Sequence, residues 1–214
     1  MRRRRVGNLL ALAVLAVLTE RPCHPYEMAA VLRARGKDHD MPIKWGSLYT
    51  VVRNLDRHGL IEVAGSTRDG ARPERTVYRI TGEGRAELTD WVRELIGVPE
   101  PERPRFKAGL SVLAAIDPEE AADLLRRRLA DLERQLAAAR EAMARDAGTI
   151  PRLLLIEDEY DLALRTAEAD WVRGVLAELT DGSFPGLDVW RGFHRTGALP
   201  EEIRTLMEGG RPGD

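Results

Sequence analysis

The run Lys44-Trp45-Gly46-Ser47-Leu48-Tyr49-Thr50-Val51-Val52-Arg53-Asn54-Leu55-Asp56-Arg57-His58-Gly59-Leu60-Ile61-Glu62-Val63 changes periodicity halfway along. Leu48, Val52 and Leu55 stand at i, i+4 and i+7, one apolar stripe of a helix over about 45–58. Ser47, Thr50, Arg53 and Asn54 face elsewhere on that helix. Gly59 stops it, and Leu60-Ile61-Glu62-Val63 reads as a strand. A turn follows at 67–71 with Asp69-Gly70, and Thr76–Ile80 alternates as the returning strand. A helix followed at once by a β-hairpin is the second half of a winged helix-turn-helix.

The segments upstream supply the first half. Residues 7–19 are apolar on nearly every side, which marks a buried helix. Arg2–Arg5 before it give the look of a secretion signal, but the run ends in Thr19-Glu20-Arg21-Pro22 without a small-residue cleavage site. Pro25 suits the first position of a second helix, about 25–35, where its missing N–H costs nothing. That helix is expected to bury Tyr26, Ala29, Ala30 and Leu32 and to end at Gly36. Downstream of the hairpin, Thr81 is an N-cap for a helix over about 82–96, with Glu83 favouring its dipole. Its apolar stripe is Leu88, Trp91, Val92 and Leu95.

Gly97–Pro104 contains three prolines and marks a boundary. Beyond it a short element is expected at about 106–115. Asp117-Pro118-Glu119-Glu120 then combines a capping Asp, Pro at the first helical position and Glu three residues after the cap. The helix it starts runs to about 146, with Leu124, Leu125, Leu129, Leu132, Leu136 and Ala139 as its seam. After Gly148, a last long helix covers about 151–180. Two long helices with narrow stripes need each other and a second subunit. The expected fold is therefore mainly α: a winged domain at 1–97, a linker at 98–105, a helical dimerisation region at 106–180, and a partly ordered tail at 181–214 with a short helix near 200–208. No internal repeat is present.

Charge follows the same division. The chain carries 33 Lys+Arg and 35 Asp+Glu, yet residues 1–96 hold 17 and 12 of these, leaving the remainder acidic. A basic front half is the footprint of a module that meets a polyanion. Enzyme signatures are missing: no phosphate-binding loop, no dinucleotide turn, no G-x-S-x-G elbow. His24, His39, His58 and His194 are scattered, and Cys23 has no second thiol. Glu157, Asp158, Glu159 and Asp161 read as a solvated helix face rather than a metal cluster. No cofactor or metal is expected, and a lone cysteine fits a reducing, cytoplasmic location. No stretch reaches the roughly 18 apolar residues of a membrane span.

The helix at 45–58 is the candidate DNA reader. A recognition helix presents its first turns to base edges in the major groove. Lys44, Ser47, Tyr49, Thr50 and Arg53 occupy those turns. Arg53 has the fork that matches guanine, and Tyr49 a hydroxyl for a phosphate. Arg68, Arg72 and Arg75 on the hairpin are suited to the backbone or the minor groove, and Arg2–Arg5 to a basic arm. Trp91, Tyr160 and Trp171 are the aromatic side chains that could line an effector pocket; for Trp91 the competing reading is packing in a core. The alternative for the whole chain is a winged helix that binds another protein and no DNA.

The segment resembles the PadR family of transcriptional regulators over roughly residues 9–96. The resemblance rests on His24-Pro25-Tyr26-Glu27, on Gly46-Ser47-Leu48-Tyr49 with Leu55, on Gly59-Leu60-Ile61, on Arg72-Pro73, and on Tyr78-Arg79-Ile80-Thr81 with Gly84. It departs at Pro25, where the family often has Gly, at Thr50, where Pro is frequent, and at Asn54, where Arg is frequent. These departures bear on base preference more than on fold. The resemblance implies a dimeric winged-helix regulator, usually a repressor, that binds a double-stranded operator, dimerises through its long C-terminal helices and often senses small aromatic molecules.

Overall fold

The computed structural model describes residues 6–37, 44–67, 75–101, 104–198 and 204. The arginine arm at 2–5, His39, the turn at Asp69-Gly70, and Arg68 and Arg72 lie outside the described residues, as does the expected helix at 200–208 except for Arg204. The chain divides into two compact units, Met1–Pro101 and Glu102–Asp214.

In the first unit, α1 (Leu9–Glu20) begins where the Asn8 side chain accepts from the Leu10 amide at 2.9 Å. Leu10, Ala11, Ala13, Val14, Leu15, Val17 and Leu18 are all buried. Being apolar all round, α1 sits at the centre and is covered from several sides.

α2 (Pro25–Ala34) opens with a capping box: His24 Nδ1 accepts from the Tyr26 amide, and Glu27 accepts from the His24 amide. Its buried positions are Pro25, Met28, Ala29 and Leu32. The expectation for Tyr26 and Ala30 is corrected: both are exposed. The stripe that meets α1 is phased from Pro25 at i, i+3, i+4 and i+7, which turns Tyr26 outward.

The single helix expected from residue 45 is a tight 3-10 turn over Trp45–Ser47 followed by α3 (Leu48–Arg57). The Ser47 hydroxyl donates back to the Lys44 carbonyl at 2.7 Å, a local bond that competes with helical geometry. Leu48, Val51, Val52 and Leu55 are buried. Gly59, at φ +70°, lets the chain leave the helix, and the Leu60 amide reaches back to the Leu55 carbonyl.

β1 (Ile61–Thr67) and β2 (Arg75–Ile80) pair antiparallel, Ile61 opposite Ile80 and Val63 opposite Tyr78, with a bulge between Val63 and Gly65. Cys23 adds one more rung, exchanging both backbone hydrogen bonds with Tyr78 at 3.1 Å. α4 (Gly82–Gly97) then folds back over α1. Thr81 caps it by accepting from the Gly84 amide, and its hydroxyl donates to the Gly59 carbonyl at 2.7 Å. Gly84, Leu88 and Trp91 face the core, whereas Val92 and Leu95, expected on the same stripe, are exposed.

The second unit is helical. α5 (Arg105–Leu110) and a 3-10 turn at Leu113–Ala115 precede α6 (Pro118–Asp146), whose Asp117 cap accepts from the Glu120 amide at 2.7 Å. α7 (Ile156–Asp181) runs back along α6. It starts later than expected because Gly148, at φ +83°, and a 3-10 turn at Arg152–Leu154 occupy the corner. Leu125 packs with Val172 and Leu179, and Leu132 and Leu136 with Ala169.

α8 (Leu187–Thr196) was not expected and makes part of the proposed tail an ordered piece of this unit. The Trp190 indole N–H donates to the Ile116 carbonyl at 2.8 Å, His194 Nε2 meets the Ala114 carbonyl at 2.9 Å, and Arg191 pairs with Glu119. No helix among the described residues is long and apolar enough to cross a membrane.

A Cβ built on Gly84 would lie 2.0 Å from the Leu60 carbonyl oxygen, so α4 can approach the hairpin base only through glycine. Gly84→Ala is expected to destabilise the protein by at least about 2 kcal/mol, read as a lowered midpoint in denaturant. An unchanged midpoint would contradict this packing.

Candidate nucleic-acid interface

Burial of Leu48, Val51, Val52 and Leu55 against the first core determines what α3 shows to solvent. Lys44, Tyr49, Thr50, Arg53 and Arg57 are exposed, Tyr49 by 57%. Ser47 and Asn54 are half-buried, and the Ser47 hydroxyl already donates to the Lys44 carbonyl. Five of the sequence candidates, Lys44, Ser47, Tyr49, Thr50 and Arg53, therefore share one turn and the face that continues from it. Arg57, one helical turn beyond Arg53, was overlooked; its i+4 spacing was the available signal.

The described cations on this side of the unit stand outside ion pairs, with Asp56 the exposed carboxylate of α3. Among the described residues, Lys44, Arg53 and Arg57 enter no ion pair. Several arginines elsewhere are neutralised: Arg35 by Glu20, Arg79 by Glu62, Arg128 by Glu168, Arg152 by Glu159 and Arg173 by Glu133. Arg35 and Glu20 hold each other ionised, the guanidinium lowering the carboxyl below its ordinary range. Unpaired cations on one helical face create the positive potential that a phosphate backbone would meet.

The hairpin contributes less within the described residues. Arg79 is tied across the strands to Glu62 at 2.7 Å. Only the backbone of Arg75 is described, in β2. The 3-10 turn before α3 has a further cation close by. The Arg33 guanidinium carbon lies 4.3 Å from the centre of the Trp45 ring. Trp45 itself is half-buried against the core. Sequence reading did not find this stack, since α2 and the turn meet only once α1 is in place.

The aromatic candidates for an effector fall into different surroundings. Trp91 is 2% exposed and belongs to the core of the first unit. Tyr160 and Trp171 are about half exposed on α7 of the second unit. Trp171 meets Phe106 edge to face at 6.0 Å, and Arg128 stacks on the other ring at 3.7 Å while pairing with Glu168. A cavity of about 600 Å³ at the α6–α7 corner is lined by Met143, Ile150, Arg152, Leu155 and Glu159 among others, and by none of these three aromatics.

The residues weighed for other chemistry have structural work. Cys23 is buried at the hairpin base, and desolvation pushes its thiol up. His24 caps α2. Glu159 and Asp161 are paired with Arg152 and Arg165.

Comparison with known proteins adds to this geometry. The model of the transcriptional regulator PadR-like family matches residues 14–90. The negative transcriptional regulator PadR of Bacillus subtilis (strain 168) is 22% identical over 130 residues, 61% of this chain and 70% of that protein. Among solved structures, Bacillus subtilis PadR in complex with operator DNA aligns with a TM-score of 0.66 at 19% identity, covering 80% of this chain and 99% of that one. The same protein in complex with p-coumaric acid aligns at 0.64 and 18% identity, covering 81% and 99%. At these identities the likeness is one of fold.

Exposed side chains that hold nothing inside the molecule should be removable without structural cost. Tyr49→Ala and Arg53→Ala are expected to change stability by no more than about 0.5 kcal/mol, whereas Leu55→Ala should cost about 2–5 kcal/mol. Comparable losses for all three in thermal melts would contradict the division of α3 into an inner and an outer face.

Proposed function

The chain belongs to the transcriptional regulator PadR-like family, and from that premise we propose that it is a homodimeric, sequence-specific DNA-binding repressor, cytoplasmic and responsive to a small aromatic effector. The family is one of transcriptional regulators, not of enzymes. The observation that carries the DNA-binding reading is the outer face of α3, where Lys44, Arg53 and Arg57 stand unpaired among the described residues beside an exposed Tyr49. Arg53 and Thr50 then read base edges, Lys44 and Tyr49 hold the backbone, joined by Ser47 when its hydroxyl turns from the Lys44 carbonyl to a phosphate, and Arg68, Arg72 and Arg75 serve the hairpin's contact. The structure of Bacillus subtilis PadR with operator DNA supports an operator as the target, and that protein's description as a negative regulator supports repression.

The proposed division of labour assigns reading to residues 1–97, connection to 98–105 and dimerisation to 106–180, with α8 added to the helical body. Support for a dimer comes from α7. Its inner stripe packs on α6, while Ile156, Tyr160, Leu164 and Trp171 form a second stripe on the opposite side and are about half exposed. Four large apolar side chains in one row favour a self-complementary partner. Two winged units related by a two-fold axis then read half-sites about one helical turn apart, and their binding energies combine.

The p-coumaric acid complex of Bacillus subtilis PadR supports an aromatic effector for this chain. Tyr160 and Trp171 on the outer stripe are its proposed contacts, while Trp91 serves packing. Such a ligand would relieve repression only by favouring one arrangement of the two reading units over another.

Retardation of the operator fragment, located first by footprinting, tests the reading. Arg53→Ala is expected to weaken operator binding by about 1–3 kcal/mol, and Tyr49→Ala to weaken it in the same direction. Parent-like retardation by both would remove α3 as the reader. Deletion of 106–214, or Leu164→Glu in the full chain, is expected to give a monomer by sedimentation, with much weaker binding. A dimer that persists in both would remove the role given to α7.

A further inference from the structure

Two arginines near the end of α2 are used differently. Arg35 is bound by both oxygens of Glu20, at 2.5 and 2.7 Å, and carries no net charge outward. Arg33, two residues earlier, is exposed and enters no ion pair among the described residues. It is not loose, however. Its guanidinium lies over the Trp45 ring, 4.3 Å from the centroid, and Trp45 is braced by the core. A cation held over an aromatic face keeps hydrogen-bond donors for a further partner, and Arg33 remains exposed. Trp45 opens the 3-10 turn that leads into α3, and its carbonyl accepts from the Leu48 amide. The held cation therefore stands against the residue that follows Lys44, at the entry to α3.

An exposed guanidinium, outside any ion pair among the described residues and held against an aromatic ring at this place, fits one chemistry, the bidentate contact to a phosphate group. In helix-turn-helix proteins the helix before the reader crosses the sugar–phosphate backbone. We propose that Arg33, seated on Trp45, is a phosphate clamp that sets the register of α3 on the duplex without reading sequence. This rests on the DNA-binding reading above. The competing account is that Arg33 only shields Trp45 and complements the C-terminal dipole of α2.

Salt dependence separates the two. The full-length chain and its Arg33→Met, Arg33→Gln and Arg33→Lys variants would be titrated with the footprinted duplex and with a random duplex, from about 50 to 300 mM KCl. Met keeps apolar cover over Trp45 and loses the charge; Lys keeps the charge. Each lost phosphate contact lowers the slope of log K against log salt by about 0.9, so a dimer lacking both clamps should lose about 1.8. Arg33→Met and Arg33→Gln are expected to show that loss, with equal fold-weakening on both duplexes, while Arg33→Lys keeps most of the slope. Two neutral variants guard against a folding defect in either, and melting curves near the parent's confirm it. Neutral variants with the parent's slope overturn the clamp. If the parent binds and Arg53→Ala weakens it, only this inference fails; a parent that binds neither duplex overturns both.

Discussion

α1 is apolar on nearly every side, and the arrangement of the first unit follows from covering it from several of them. Leu10, Val14 and Leu15 are wholly inaccessible, and α2, α3, β2 and α4 each pack against the helix. Full burial of a Leu or Val side chain is worth about 1.5–3 kcal/mol, so the register of each covering element against α1 is strongly determined. α3 can contribute Leu48, Val51, Val52 and Leu55 to that core in only one rotation about its axis. The opposite face, with Tyr49, Thr50, Arg53 and Arg57, is then exposed as a consequence. The proposed DNA-facing surface is the remainder of a packing problem.

Charge is sorted on the same principle. The described core holds no buried polar or charged residue. The long helices of the second unit dress their surface with pairs such as Arg165–Asp161 and Arg173–Asp170. Each exposed pair contributes little to stability, but each sets a carboxylate against an arginine. Lys44, Arg53 and Arg57 enter no ion pair among the described residues, at the place where a polyanion would be met. The chain as a whole is close to neutral, and only the separation of its charges carries meaning.

Much of this was legible because it is written in local chemistry. Thr81 and Asp117 cap their helices as their sequences require, and Gly59 ends α3. These signals act over a few residues and need no tertiary context. Tyr26 was misplaced because its ring counts as apolar, while the phase of α2 is set by Pro25, Met28, Ala29 and Leu32. α8 was invisible because its order depends on Trp190 and His194 reaching carbonyls more than seventy residues away, at Ile116 and Ala114. At the candidate site, the outer face of α3 could be read from periodicity. The Arg33–Trp45 stack could not, since it exists only after α2 and the turn have closed on the core.

Amide hydrogen exchange of the full-length chain, with and without its operator duplex, tests the central claim most directly. DNA should slow exchange at residues 44–57 and along β1 and β2, the elements whose outer surfaces α1 leaves free. Slowing confined to residues 105–196, with the α3 amides unchanged, would show that the duplex does not lie on this surface and would contradict the account.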